Sequence, residues 1–439
     1  SQFGTYDAIA GYTPASDVTA HAAIDLDMTA INDYVSSGDY ASAIDMYKNG
    51  GNSAKGSGWR TLHGFGTADL AGETEYDLGV TYWGSTTYAN DIVMAALNDT
   101  DYSDPKGSTS VTLTDTQRSQ IIGKGAAYIN AWIYSLHELY EALEKCELYV
   151  SDSASYFAAG YAHPYKEIHY WDEGWAFYAG SQQEVGSTST GDLAYELAEK
   201  RCSDFNTCGP AGYVEGDGGN QDGDFRPSLV NRNLIGLYNV GLVMLNSSDC
   251  TGVLTVISEI VKQMTIPLIQ GTIKYVFKSD PAAGASSDDS STNEKSMSEA
   301  WAFAAALLPL LNACDSTAAG TLYDNTNMGL GTSGAVPDGY ATVKAAIEGA
   351  YSALGITCAD VGEYYGMLDD SNYAACSGLT AGAATVYSDL ITMGGDADID
   401  SEWPFPNIAG YAPPTNVINH AAIDLDMIEI NTAVGSLDY

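Results

Sequence analysis

The chain has 439 residues, 45% of them hydrophobic, which is enough for a real core and for two or three ordinary domains or one large one. Aspartate and glutamate number 57 against 17 lysines and arginines, a formal charge of −40 that repels nucleic acid and anionic membrane surfaces and attracts cations. No stretch reads as a bilayer span, and the chain opens on Ser1 rather than Met, as a processed secreted protein does.

In chain order, Ile24, Met28, Ile31 and Val35 fall at i, i+4, i+7 and i+11, one face of an amphipathic helix. His21, Asp25 and Asp27 lie off that face, and the two aspartates read as a solvated helix start near its positive end. Residues 78–82 (LGVTY) are the best short strand candidate. A helix then ends at Asn98, and a long one is expected over roughly 115–147. The second half of the chain repeats this order, with a helix ending at Asn246 and a long one over roughly 251–278. Each long stretch is followed by a related pentapeptide, EGWAF at 173–177 and EAWAF at 299–303. The unit therefore reads as mainly α, with two related helical halves, roughly 1–205 and 206–407. Long Gly/Ser/Asp-rich loops join the helices, which favours disulfide staples.

Seven cysteines occur, none with zinc spacing. Cys202 with Cys208 and Cys358 with Cys376 are close in sequence and read as local disulfides. Cys250 and Cys314 form a candidate third pair, leaving Cys146 over. Sequons at Asn98 and Asn246 fit a secretory route.

Three of the six histidines begin an H-x-x-x-E pattern: His137–Glu141, His163–Glu167 and His169–Glu173. On a helix such a pair shares one face and either reaches one cation or forms a simple ion pair. Two such helices packed together would join His137, Glu141, His169 and Glu173, with Tyr140 and Tyr170 as oxygen donors suited to Fe3+. His163 precedes Pro164 at a helix start, a poorer place for a ligand. Glu173 is the most pointed candidate, because it stands among Trp171, Trp175, Phe177 and Tyr178, where an unpartnered carboxylate is costly. Asp217, Asp222 and Asp224 lie among glycines, a composition suited to Ca2+ but without EF-hand spacing. No H-E-x-x-H, G-x-S-x-G, phosphate-loop or dinucleotide motif occurs, so an enzyme is not expected.

Residues 9–40 and 408–439 align without a gap at an offset of 399, identical at 20 of 32 positions and sharing HAAIDLDM. Residues 1–407 thus read as one unit and 408–439 as the start of a second tandem copy, so neighbouring copies of the same domain are expected partners. The runs NGGNSAKGSGWRTLHGFGT (49–67), DEGWAFYAGS (172–181) and ITCADVG (356–362) resemble the low-iron-inducible periplasmic proteins of algae, an iron-assimilation family related to the phytotransferrins. The resemblance implies an extracellular, helix-rich domain of two related halves tied to ferric iron uptake at the cell surface. A tandem array equally suits a structural fibre or adhesive built of large acidic beads.

Overall fold

The computed structural model describes residues 6–98, 101–107, 110–209, 227–283 and 290–364. Its organising element is a long rod. Helix α7 (Asp115–Gly125) opens on a capping box in which Thr114 and Gln117 each satisfy the other's backbone N–H. It continues through a π-helical turn (Ala126–Ala131) into α8 (Trp132–Ser151). The π-turn buries Asn130, whose amide donates to the Tyr47 hydroxyl at 2.7 Å and the Leu62 carbonyl at 3.1 Å. Helix α10 (Tyr165–Ala179) packs along α8, and α6 (Tyr88–Leu97) packs against α7.

The same order recurs later in the chain. Helix α12 (Leu229–Ser247) leads to the long α13 (Cys250–Ser279), which packs along α14 (Ser290–Cys314). α14 also lies on α7, and the buried side chains of both halves form one continuous core. The expected helices over 115–147 and 251–278 are thus present, each slightly longer. Contrary to the first expectation, α13 and the 293–314 part of α14 are long and apolar enough to cross a bilayer by composition. Both are mostly buried, as core helices that face one another need apolar residues all round.

The segment LGVTY is helical, inside α5 (Thr74–Trp83), which ends at Gly84 with φ 73°. A five-residue alternation is too short to outweigh helical packing against α6 and α14. Among the described residues the only strands are Ala54–Lys55 and Gly58–Trp59, a two-residue hairpin.

Helices α1 (Thr19–Ala22) and α2 (Ile24–Ser36) carry the duplicated sequence. Ile24, Met28, Ile31 and Val35 are all buried, as the apolar spacing requires. Asp25 and Asp27 are buried too, which corrects their reading as a solvated helix start. Asp25 accepts from the Ser181 hydroxyl and the Gln182 N–H, both at 2.7 Å. Asp27 accepts from Asn52 at 2.7 Å and the Gly51 N–H at 3.3 Å. The two carboxylates thereby tie α2 to the turn after α10 and to the glycine-rich loop before the hairpin.

Cys202 and Cys208 are disulfide-bonded as expected. Cys250 bonds to Cys146 rather than Cys314, because the end of α8 brings Cys146 to the first residue of α13, with Cα atoms 5.7 Å apart. Cys314 is a free, half-buried thiol. Cys358 is disulfide-bonded, and its expected partner Cys376 lies outside the described residues. Asn98 and Asn246 are exposed, whereas Asp217, Asp222 and Asp224 lie outside the described residues. The Cys146–Cys250 bridge spans 104 positions and joins the two halves. Replacing both cysteines by alanine should lower unfolding stability by roughly 2–5 kcal/mol in a denaturant titration. Peptide mapping without reduction should find 146 linked to 250 and Cys314 alkylated.

Candidate metal centre

The close approach of α10 to α8 centres on Gly174. A Cβ there would lie 2.8 Å from Leu139 Cδ2 and 3.0 Å from the Ser135 carbonyl oxygen. The Ser135 hydroxyl donates to the Gly174 carbonyl at 2.7 Å across the same contact. Two buried indoles fix the rotation of α10: Trp171 donates to the Tyr238 carbonyl at 2.9 Å and Trp175 to the Ile9 carbonyl at 2.8 Å. With those rings turned inward, His169 and Glu173 share the face that meets α1 and α8.

His169 Nε2 lies 2.9 Å and His21 Nε2 lies 3.1 Å from the same oxygen, Glu173 Oε1. The three ligand atoms lie within 4.8 Å of one another. His21 and Glu173 are buried, and His169 is partly open to solvent. Glu138 of α8 is buried directly against Glu173, and its Oε2 has no hydrogen-bond partner. Tyr134, one turn earlier on α8, stacks on Phe65 and adds a phenol beside both carboxyls.

Hydrogen bonding fixes what the imidazoles present. The Ser16 hydroxyl donates to Asp172 Oδ2 at 2.7 Å, so it must accept from His169 Nδ1, 3.0 Å away. A neutral His169 therefore turns an Nε2 lone pair towards Glu173. His21 Nε2 also contacts the guanidinium of Arg60, which can only donate, so in the neutral ring its lone pair faces Arg60 beside Glu173. An imidazole lone pair and a carboxylate converging at one point repel each other unless a proton or a cation sits between them. Arg60, from the loop after the hairpin, supplies positive charge at the edge.

The titration behaviour follows. Burial works against ionisation of Glu173, but a proton held on the His169 or His21 nitrogen that faces it outweighs burial and holds this carboxyl below its usual range. Burial, together with the Glu173 charge, pushes Glu138 well up. The pair thus keeps one negative charge rather than two. Burial lowers His21, which favours the neutral imidazole that binds metals.

The structure brings His169 and Glu173 together, as the i, i+4 spacing suggested, while His137, Tyr140 and Glu141 have other partners. His137 Nδ1 lies 2.6 Å from Glu73, Tyr140 donates to Glu75 at 2.8 Å, and Glu141 pairs with Lys145 at 3.1 Å. Tyr170 lies beneath Lys166, whose Nζ is 3.8 Å from the ring centroid, and stays near the Glu138 and Glu173 carboxyls without a hydrogen bond to either. The α8 face that meets α10 carries Ser135, Glu138 and Leu139, so HELYE contributes its second residue and not its first and fifth. His163 and Glu167 pair at 2.9 Å, with the Tyr156 hydroxyl donating to Glu167. They hold the start of α10 and lie apart from the cluster. His21 lies 148 positions from His169, so no local spacing links the two. The signal that could have found it is its place in HAAIDLDM, the stretch that recurs with His420.

Residues 1–206 match the sequence profile of the low iron-inducible periplasmic protein family. Over that span, a little under half of the chain, it is similar to this family. No curated protein and no solved structure matches the chain. The family description assigns the chain to the periplasmic or secreted space, in keeping with its disulfides. His21, Arg60, Glu138, His169 and Glu173 all fall within the matched residues.

Behind His169, Asp172 accepts from the Tyr12 hydroxyl at 2.6 Å and from the Ser16 N–H and hydroxyl at 2.8 and 2.7 Å. Burial nevertheless pushes its carboxyl up to about 6. An acid raised on folding contributes stability below its unfolded value, near 4, and that contribution is lost as pH rises through about 6. In metal-free protein one aspartate carboxyl 13C signal should titrate near pH 6, and it should vanish in Asp172→Ala.

Proposed function

We propose that this chain is an iron-assimilation protein of the extracytoplasmic space that captures iron, or a transition ion of similar preference, through His21, His169 and Glu173, with Glu138 closing the set. The observation that carries the reading is the convergence of two imidazole nitrogens and one carboxylate within 4.8 Å, inside the span matched to a low-iron-induced family. Two imidazoles and two carboxylates suit iron or zinc better than calcium, which takes oxygen ligands. Fe3+ would draw most on the two carboxylates and on the Tyr134 phenol beside them. Asp217, Asp222 and Asp224 offer the all-oxygen donors that calcium requires. The role is binding rather than catalysis, and the bound ion is the cargo.

Replacing His169 and Glu173 together by alanine removes two ligands. Loss of an outer partner alone costs roughly 10–100-fold in metal affinity, so this double variant should lose more than about a hundredfold by calorimetry. Its circular dichroism should stay helical. A His137→Ala/Glu141→Ala variant should bind as the parent does. The opposite pattern would move the site to HELYE and overturn the assignment.

We further propose that the duplicated segment brings a fresh wall of the site to a following unit. In the first copy Tyr12, Ser16 and His21 reach Asp172, His169 and Glu173. In the second copy these positions are Tyr411, Thr415 and His420, which lie outside the described residues. Thr415 keeps the hydroxyl. A tandem array of such units would also suit a cell-surface scaffold. A chain extended by one complete unit should bind twice the metal per chain in elemental analysis. An unchanged stoichiometry would overturn the tandem reading and leave the site in the first unit intact.

A further inference from the structure

The counterpart of Glu173 in the second half is Glu299, in EAWAF, and its surroundings are reversed in charge. Glu299 Oε1 accepts from Lys124 Nζ at 2.7 Å, and its Oε2 is buried without a partner. Four residues on, Phe303 stacks on Tyr128 and Tyr275, with ring centroids 5.5 and 5.7 Å away. The guanidinium of Arg201 lies 5.6 Å from the centre of the Tyr275 ring, and Lys274 and Lys278 lie 5.6 and 5.9 Å from the same centre. The Tyr275 hydroxyl lies beside both Arg201 and Glu299. Lys295, one turn before Glu299, adds another positive charge close to Lys124.

The carboxylates that face this cluster are already engaged. Asp204 takes both Lys274, at 2.7 Å, and Arg201 Nη2, at 3.0 Å. Glu196 pairs with Lys200 at 2.6 Å, and Asp192 accepts from Thr29 at 2.6 Å and Asn32 at 3.1 Å. Cations outnumber carboxylates here, in a chain where acids outnumber bases 57 to 17. Arg201 is only 6% exposed, yet its Nε and Nη1 have no hydrogen-bond acceptor. Buried guanidinium donors are rarely left unpaired, because the lost hydration is not returned.

We propose that the Arg201–Lys124–Glu299 cluster is a binding site for a small oxyanion that carries a proton, such as hydrogen phosphate. The unpartnered donors of Arg201 call for acceptor oxygens, and the positive surroundings call for negative charge. The unpartnered Oε2 of Glu299 calls for a donor, which an anion bearing an O–H supplies and sulfate at neutral pH does not. Tyr275 and Lys124 are half-buried, so the cluster has a face towards solvent. The site is separate from the His21–His169–Glu173 cluster and does not depend on that reading.

The test is calorimetry and thermal unfolding of the metal-free full chain, with sodium phosphate or sodium sulfate added against sodium chloride of equal ionic strength. Phosphate should bind saturably, and sulfate at least about tenfold more weakly, since it leaves the Glu299 acceptor unpaired and repelled. Arg201→Met should abolish phosphate binding. Should that variant fail to fold, Lys278→Gln, a change at the rim, should weaken binding several-fold. The His169→Ala/Glu173→Ala protein should bind phosphate as the parent does. No saturable phosphate effect above chloride, equal binding of sulfate, or undiminished binding by folded Arg201→Met would each overturn the proposal.

Discussion

The site depends on how closely α10 lies on α8. Gly174 leaves no room for a side chain against Ser135 and Leu139, and this close packing sets Glu173 beside Glu138. A carboxylate in that position cannot simply turn towards water. Its neighbours must bring positive charge or protons, and the N-terminal segment does so with His21 while α10 itself supplies His169. Trp171 and Trp175 lock the helix so that this face cannot rotate away. The rest of the arrangement follows from satisfying one buried negative group.

The second half solves the same problem by another route. Glu299 occupies the position that matches Glu173, and Phe303 that of Phe177. There the close approach belongs to Gly271 of α13, where a Cβ would lie 2.8 Å from the Phe303 ring, while Ala300 replaces the glycine of EGWAF. Glu299 is neutralised by the fixed ammonium of Lys124 and not by imidazoles. A lysine bonded at 2.7 Å is a built-in counter-ion that a metal would have to expel. Two imidazoles that can release a proton leave room for an added ion. The repeated pentapeptide therefore marks two carboxylates in matching places, the first beside two imidazoles and the second beside a fixed ammonium.

Much of this was legible from residue order. The long helices show in their apolar periodicity, the buried stripe of α2 in its spacing, and Glu173 in its aromatic surroundings. Cys202 and Cys208 are six positions apart, so nearness in sequence sufficed. What stayed hidden depended on tertiary packing. Glu138 and His137 are adjacent in sequence but about 100° apart around the helix, and only the docking of α10 decides which of them faces the site. Cys146 and Cys250 meet because two helix ends meet. Asp25 and Asp27 have the composition of a solvated helix start, yet they are buried because glycine-rich loops fold over them and donate backbone N–H groups.

The duplicated segment ties these threads together. Between residues 9 and 40 the positions identical in 408–439 include Tyr12, His21, Ile24, Asp25, Asp27, Met28, Ile31 and Val35. In the first copy the four apolar side chains anchor α2 in the core, and the two aspartates hold the loops on either side of the site. Tyr12 and His21 reach the α10 carboxylates. A segment kept only to join beads would need its apolar stripe and little else. Retention of the tyrosine, the histidine and both loop-holding aspartates is what the proposed tandem reading would need, since the α10 of a second unit would offer them the same partners.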